Sequence, residues 1–146
     1  MQLSITRADD DPKAAGREIG ELLYRFNAKT VGKSASQPFV LTIKAPGSDE
    51  ILGGLVAVSY WGSFYISDVV VPETARGQGL GSELMRQAEQ EARARGCRHV
   101  WLDTFEFQAR GFYERLGFEV FGRLDGLAPF FPRYFMQKTL EPPPGG

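Results

Sequence analysis

The sequence predicts a mixed α/β domain of the α+β kind, with a mostly antiparallel central sheet of about seven strands flanked by helices. Three observations carry that expectation. Alternating apolar residues and short turns between 39 and 71 give three strands joined as an antiparallel meander. The β-branched run Val69-Val70-Val71 ends at Pro72 and leads through a glycine-rich turn into an amphipathic helix. Only one strand–helix–strand unit is visible, which disfavours a doubly wound parallel sheet. With 146 residues, 42% hydrophobic and 24% charged, the chain has the length and balance of one globular domain with its own core.

Taken in order, residues 2–6 alternate Leu3 and Ile5 and predict a short first strand. Asp11-Pro12 reads as an N-cap followed by proline at the first helical position. The helix it opens spans 12–27, with Ile19, Leu22, Leu23 and Phe26 on one face. Residues 28–38 have no period and contain Gly32, Ser34 and Ser36, so they read as a loop, either bordering a substrate site or plainly connecting. Strands follow at 39–44, 51–61 and 64–71, separated by the Ala45-Pro46-Gly47-Ser48-Asp49 turn and by Gly62-Ser63. A helix over 81–95 sets Leu80, Leu84, Ala88 and Ala92 toward the sheet and closes at Gly96. The strand at 98–104 then lies parallel to the one at 64–71, through a right-handed crossover. A short helix at 109–116 ends at Gly117, and strands at 118–124 and 132–140 close the sheet around a loop at 125–131. Residues 1–140 read as a single domain and 141–146 as a flexible Pro/Gly tail.

A net charge of −1 gives no global basic field for nucleic acid or an anionic membrane. No run approaches the ~18 apolar residues that cross a bilayer. The start lacks the apolar core of a signal peptide. Cys97 is the single cysteine and excludes an internal disulfide, so a cytoplasmic protein is expected. No metal-ligand cluster is present.

The stretch Arg76-Gly77-Gln78-Gly79-Leu80-Gly81-Ser82 holds three glycines within five residues. They let the backbone turn tightly and approach a ligand, and the helix that follows begins with free N–H groups and a positive dipole end. That is a seat for an anion, and it predicts a pyrophosphate-bearing cofactor. A P-loop would need Lys-Ser or Lys-Thr after the glycines, and none follows. A dinucleotide fingerprint would need glycine where Ser82 stands, although Asp103 lies at a fitting distance for a ribose contact.

Arg76-Gly77-Gln78-Gly79-Leu80-Gly81 resembles the R-x-x-G-x-G signature of the GNAT N-acetyltransferase superfamily. Ala109 with Phe112-Tyr113-Glu114-Arg115-Leu116-Gly117-Phe118 resembles the same family's A-x-x-[LF]-Y-E-[KR]-x-G-F block. The two blocks in this order, with a strand between them, are more specific than either alone, and the resemblance covers roughly residues 55–140. It implies transfer of an acetyl group from acetyl-CoA to an amine. In such a protein the N–H groups of Gln78, Gly79, Leu80, Gly81 and Ser82 would hold the CoA pyrophosphate, with Gly77 shaping the turn and Arg76 adding a charge-assisted contact. Val69 and Val71, with Val70 between them, would lie along pantetheine, and Phe112 and Arg115 of the second block would flank the cofactor.

By the same resemblance Tyr113 is the general acid that protonates the leaving thiolate, since a phenol near pKa ~10 keeps its proton at neutral pH. Asp68 is the leading carboxylate for base or amine-binding work. Asp103, Glu106 and a water chain remain alternatives, and Ser67 competes for the position where some members place glutamate. Glu106 departs from the asparagine often found seven residues before the tyrosine, and it would put negative charge near the acceptor. His99 is placed on a strand and Cys97 after a helix end, neither with a catalytic role. Trp61, Phe64, Phe105, Phe107, Phe130 and Phe131 are candidate walls of an acceptor pocket or plain core, with Phe130 carried as a substrate contact. Partners expected are acetyl-CoA and an amine-bearing small molecule or peptide; nucleic acid and membrane are not expected, and a homodimer is compatible with the resemblance. The alternative from another class is an acyl-CoA-binding module without transfer, which the presence of Tyr113 disfavours.

Overall fold

In the computed structural model, which describes residues 1–32, 36–105, 109–126 and 131–141, helix α1 (Pro12–Val31) begins as its sequence dictates. The Asp11 carboxylate accepts from the Ala14 N–H at 3.0 Å, and Pro12 takes the first helical position. The helix runs past 27 because Ala28-Lys29-Thr30-Val31 contains no breaker, and it stops at Gly32 with φ 82°. Residues 2–6 form no strand. They have no ladder partner, and a lone strand is not stable in water. The first unit of the chain is Met1–Ala35 and the second is Ser36–Gly146.

The second unit holds β1 (Gln37–Ile43), β2 (Gly53–Tyr60), β3 (Ser63–Val70), α2 (Leu80–Ala94), β4 (His99–Phe105), α3 (Arg110–Arg115), β5 (Glu119–Leu124) and β6 (Arg133–Thr139), with a 3-10 turn at Glu73–Ala75. The described strands form one six-stranded sheet in the order β1-β2-β3-β4-β6-β5, one strand fewer than expected because 2–6 does not join. Among paired strands only β3 and β4 run parallel, joined through α2, and every other pairing is antiparallel. Strands β4 and β5 are also parallel and joined through α3, but β6 lies between them, so only the α2 crossover joins neighbouring strands.

Strand alternation makes one face of this sheet the core. Leu55, Ala57, Phe64, Ile66, Val100, Leu102, Tyr134 and Met136 are buried, and α2 covers them with Leu84, Met85, Ala88 and Ala92. Leu80 is only half-buried, because it stands at the first residue of the helix. The end of α2 is tied down by Arg95, which donates to the carbonyls of Gln37 (2.8 Å) and Pro38 (3.1 Å) and to Ser59 (3.0 Å) while lying over the Phe39 and Phe64 rings. The β2–β3 hairpin closes through Trp61 (φ 47°) and Gly62 (φ 77°), a two-residue turn with both φ angles positive.

Both later helices end in the same way. Cys97 N–H reaches Ala92 O at 2.9 Å and Gly96 N–H reaches Arg93 O at 3.0 Å. At α3, Phe118 N–H reaches Tyr113 O at 3.1 Å and Gly117 N–H reaches Glu114 O at 3.0 Å. These are paired Schellman closures, each requiring a left-handed residue, supplied by Gly96 (φ 74°) and Gly117 (φ 96°).

Gly54 lies in β2 between β1 and β3 with φ 149°, and a Cβ there would collide with the Leu41 carbonyl oxygen. Gly54→Ala should therefore cost roughly 2–4 kcal/mol of stability, from backbone strain and overpacking together. Urea unfolding followed by far-ultraviolet dichroism checks this, and an unchanged midpoint would mean that β1 yields freely.

Candidate active site

The site begins where two strands stop pairing. The β3–β4 ladder runs only from Ser63↔His99 to Ile66↔Leu102, although both strands continue. The cause is a bulge. Ile66 faces Ala57 and Asp68 faces Val56, which leaves Ser67 without a partner across β2. A bulged strand bends, while β4 stays paired to β6 as far as Phe105↔Arg133, so β3 leans away from it.

Backbone groups of β3 line the gap that results. A Cβ on Gly53 would collide with the Val70 carbonyl oxygen, so that carbonyl points toward β2. Strand alternation then turns the backbone groups of Val69 and Val71 toward the gap. Pro72 and the 3-10 turn carry the chain into Gly77 (φ 85°) and Gly79 (φ 77°). Gly79 is the left-handed N-cap of α2, and no side chain caps this helix. Glu83 N–H bonds to Gly79 O at 3.0 Å, which leaves the N–H groups of Leu80, Gly81 and Ser82 without helical partners. The acidic residue of this first turn, Glu83, is held in its ionised form. Hydrogen bonds from Arg86 lower its pKa to about 2, with a further contribution from Gln87. Its charge is thus spent on Arg86, and the start of α2 stays receptive to an outside anion.

Helix α3 forms the opposite wall. Phe112 packs beside Gly81, where a Cβ would meet its ring at 3.4 Å, an ordinary contact distance. Tyr113 is the residue whose carbonyl closes the α3 cap, and its ring packs edge-on against Phe112 (5.2 Å) and Phe118 (6.0 Å). The side chain is buried, and burial alone pushes its phenol above the ordinary value of 10.0.

Two cavities meet at this wall. One, of about 670 Å³, is bounded by the end of β3, the glycine turn, the start of α2, Ala109, Phe112 and Tyr113. The other, of about 330 Å³, lies between the parted strands and is bounded by Ser67, Asp68, Asp103, Thr104, Phe105 and again Tyr113. Val69, Val70, Ala109 and Tyr113 belong to both. The two carboxylates of the smaller cavity differ. Asp68 is exposed and accepts from Ser67 Oγ at 2.7 Å. Asp103 accepts from Arg133 Nε (2.9 Å) and Nη2 (2.6 Å) and from the Tyr65 hydroxyl (2.9 Å). Burial and the Asp103 hydrogen bond push the Tyr65 phenol up.

Most of the residues singled out from the sequence come together here. Val69, Val70, Val71, Arg76, Gly77, Gly79, Leu80, Gly81, Ser82 and Phe112 line the larger cavity, while Asp68 and Tyr113 line the smaller. Gln78 and Arg115 line neither: Gln78 stands at the apex of the turn, and Arg115 is exposed at the last residue of α3. Glu106, Phe107 and Phe130 lie outside the described residues, as do 33–35 of the early loop and 142–146 of the tail. Of the aromatic candidates Phe105 lines the smaller cavity, Phe64 is fully buried core, and Trp61 occupies the distant β2–β3 turn. Ala109, which opens the second block, lines the larger cavity too, and Ala75 lines it with no signal in its residue type. His99 hydrogen-bonds Ser63 at 3.1 Å and burial raises the pKa of the Cys97 thiol; neither residue lines either cavity. Among the described residues no cluster of His, Cys, Asp or Glu could hold a metal, and no helix is long and apolar enough to cross a membrane.

Residues 4–118 match the family model described as the acetyltransferase (GNAT) family. An acetyltransferase of Agrobacterium fabrum is 36% identical over 126 residues, covering 86% of this chain and 91% of the relative. The blasticidin-S acetyltransferase of Streptomyces morookaense is 36% identical over 92 residues, covering 62% and 68% respectively. The crystal structure of an acetyltransferase from Agrobacterium tumefaciens superposes with a TM-score of 0.84 at 31% identity, covering 96% of this chain and all of that one.

The raised pKa of Tyr113 has a pH consequence. The unfolded phenol ionises first, so the stability that this group contributes is complete below pH ~10 and is lost as pH rises through the folded value. Ultraviolet titration of the wild type minus that of Tyr113→Phe should show one phenol ionising above 10.0. A difference curve centred at or below that value would contradict the burial.

Proposed function

The chain belongs to the GNAT acetyltransferase family, and on that premise we propose that it moves an acetyl group from acetyl-CoA to a primary amine by direct aminolysis of the thioester. The observation that carries this reading is the meeting of the two cavities at Tyr113 and the exposed edge of β3. One cavity suits a long polyanionic donor and the other a small polar acceptor.

The larger cavity fits CoA on its own chemistry. The unsatisfied N–H groups at the start of α2 and the positively curved backbone at Gly77 and Gly79 favour a pyrophosphate, and Arg76 stands beside them. The gap-facing backbone of Val69 and Val71 offers strand-like hydrogen bonds to the amide groups of pantetheine. CoA supplies the thioester, an acetyl carbonyl activated toward attack. Tyr113 keeps its proton across the neutral range, as any phenol near pKa ~10 does and burial reinforces, and at the junction of the cavities it protonates the departing sulfur. Asp68, exposed at the mouth of the smaller cavity, receives the acceptor as its ammonium ion and draws off a proton, directly or through water. A relative named for blasticidin S and an acceptor cavity of about 330 Å³ both support a small-molecule acceptor over a folded protein.

A panel of amines scored for CoA release tests the reading, and no release with any amine would contradict it. Two variants separate its parts. Gly79→Glu should abolish CoA binding in calorimetry by placing negative charge at the pyrophosphate seat. Gly79→Ala carries the left-handed strain without the charge and should keep measurable binding, so equal loss in both would remove the electrostatic account. Tyr113→Phe should lower kcat by about 10²-fold while CoA affinity holds, and normal turnover would strip Tyr113 of the acid role.

A further inference from the structure

We propose that Arg133 sets the charge class of the acceptor: by cancelling one of the two carboxylates in the smaller cavity, it fits the site to an amine with a single positive charge rather than to a polyamine. The inference rests on the acyl-transfer reading above and adds which amines that site takes.

Asp68 and Asp103 are the charged residues among the described lining of the cavity. Left to themselves they would present two negative charges, the usual design for a dication. Asp103, however, has both oxygens engaged and its charge paired. Its Oδ1 accepts twice from Arg133, at 2.9 and 2.6 Å, and its Oδ2 accepts from the Tyr65 hydroxyl at 2.9 Å. The Asp103 side chain is 15% exposed and that of Arg133 40%, so solvent reaches the pair at its Arg133 end while the carboxylate that lines the cavity carries its counter-charge in direct contact.

Arg133 is built to stay. Its guanidinium lies 5.8 Å from the Phe105 ring centroid and 5.3 Å from that of Phe135, and its backbone pairs with Phe105 at the end of the β4–β6 ladder. It does not itself line the cavity, so it acts through Asp103 as a positioning residue. Asp68 is in the opposite state. It is exposed, accepts from Ser67 Oγ, and enters no ion pair among the described residues. One ammonium group is satisfied at Asp68, and a second finds Asp103 already occupied.

The test compares kcat/KM for n-butylamine and putrescine, read as CoA release from acetyl-CoA, in the full-length wild type and three variants. Arg133→Met uncovers the second carboxylate and should raise the putrescine-to-butylamine ratio by about five-fold or more, through the putrescine KM rather than kcat. Asp103→Asn leaves the Arg133 charge uncompensated and should move the ratio in the opposite direction. Arg133→Lys keeps the charge and should hold the ratio near that of the wild type. A merely structural role would depress both amines alike in every variant. Turnover with an unchanged ratio, or a ratio moving the same way in Arg133→Met and Asp103→Asn, overturns the proposal while leaving acyl transfer standing. If Arg133→Met does not fold, the direction of the Asp103→Asn shift decides alone. A wild type that releases CoA with no amine overturns the transfer reading first and this proposal with it.

Discussion

The parting of β3 from β4 is the constraint on which the rest of the site depends. A parallel pair of this length would ordinarily stay bonded to its end, because every unpaired backbone group in a sheet interior costs free energy. Here pairing stops at Ile66↔Leu102, since the extra residue Ser67 bends β3 while the β6 ladder holds β4 straight. The unpaired backbone lines a cavity instead of a packed interior, where water or a ligand satisfies it. Both cavities follow from that one departure, and the glycine turn is aimed at the gap because β3 ends only a few residues before it.

The second wall is fixed by helix-end chemistry. Tyr113 occupies the position of α3 whose carbonyl receives the closing bond from Phe118, and the same Phe118 packs its ring against the tyrosine. That ring contact is the hydrophobic half of a Schellman closure, which spans the helix end between those two residues. The spacing of Tyr113, Gly117 and Phe118 is therefore a single structural unit. It fixes the tyrosine backbone by local bonds and its ring by burial, on a helix of only six residues that has little rigidity of its own.

How far the sequence could be read follows the locality of each cause. The meander, the crossover through α2 and the stops at Gly96 and Gly117 rest on local pattern and were legible, as was the tight turn at Gly77 and Gly79, because positive φ demands glycine. Residues 2–6 have a strand's alternation, but alternation supplies no partner, and pairing is decided by the rest of the fold. The bulge was invisible: nothing in Ile66-Ser67-Asp68 marks Ser67 as the extra residue, which emerges only against the register of β2. Trp61 in a left-handed turn was equally hidden, because that turn type favours asparagine or glycine there. Gln78 and Arg115 fit their motifs but not the cavities, since a motif fixes spacing along the chain and not the direction in which a side chain leaves it.

The same distinction separates the two cavities. The larger cavity is bounded largely by backbone and glycine, whose conformational demands are written into residue type at short range. The smaller cavity is bounded by side chains, and its charge is settled by contacts that cross the sheet. Of the three carboxylates that the sequence puts forward, Asp68 and Asp103 line this cavity and Glu106 lies outside the described residues. The fold then brings Arg133 onto Asp103 from 30 residues away and Tyr65 from 38, so among the described lining residues Asp68 is the carboxylate left outside an ion pair. A charge balance of this kind is a property of the ladders and not of any motif. Two chains sharing both sequence blocks can therefore keep the same glycine turn and differ in the charge of the second cavity through a single residue on β6.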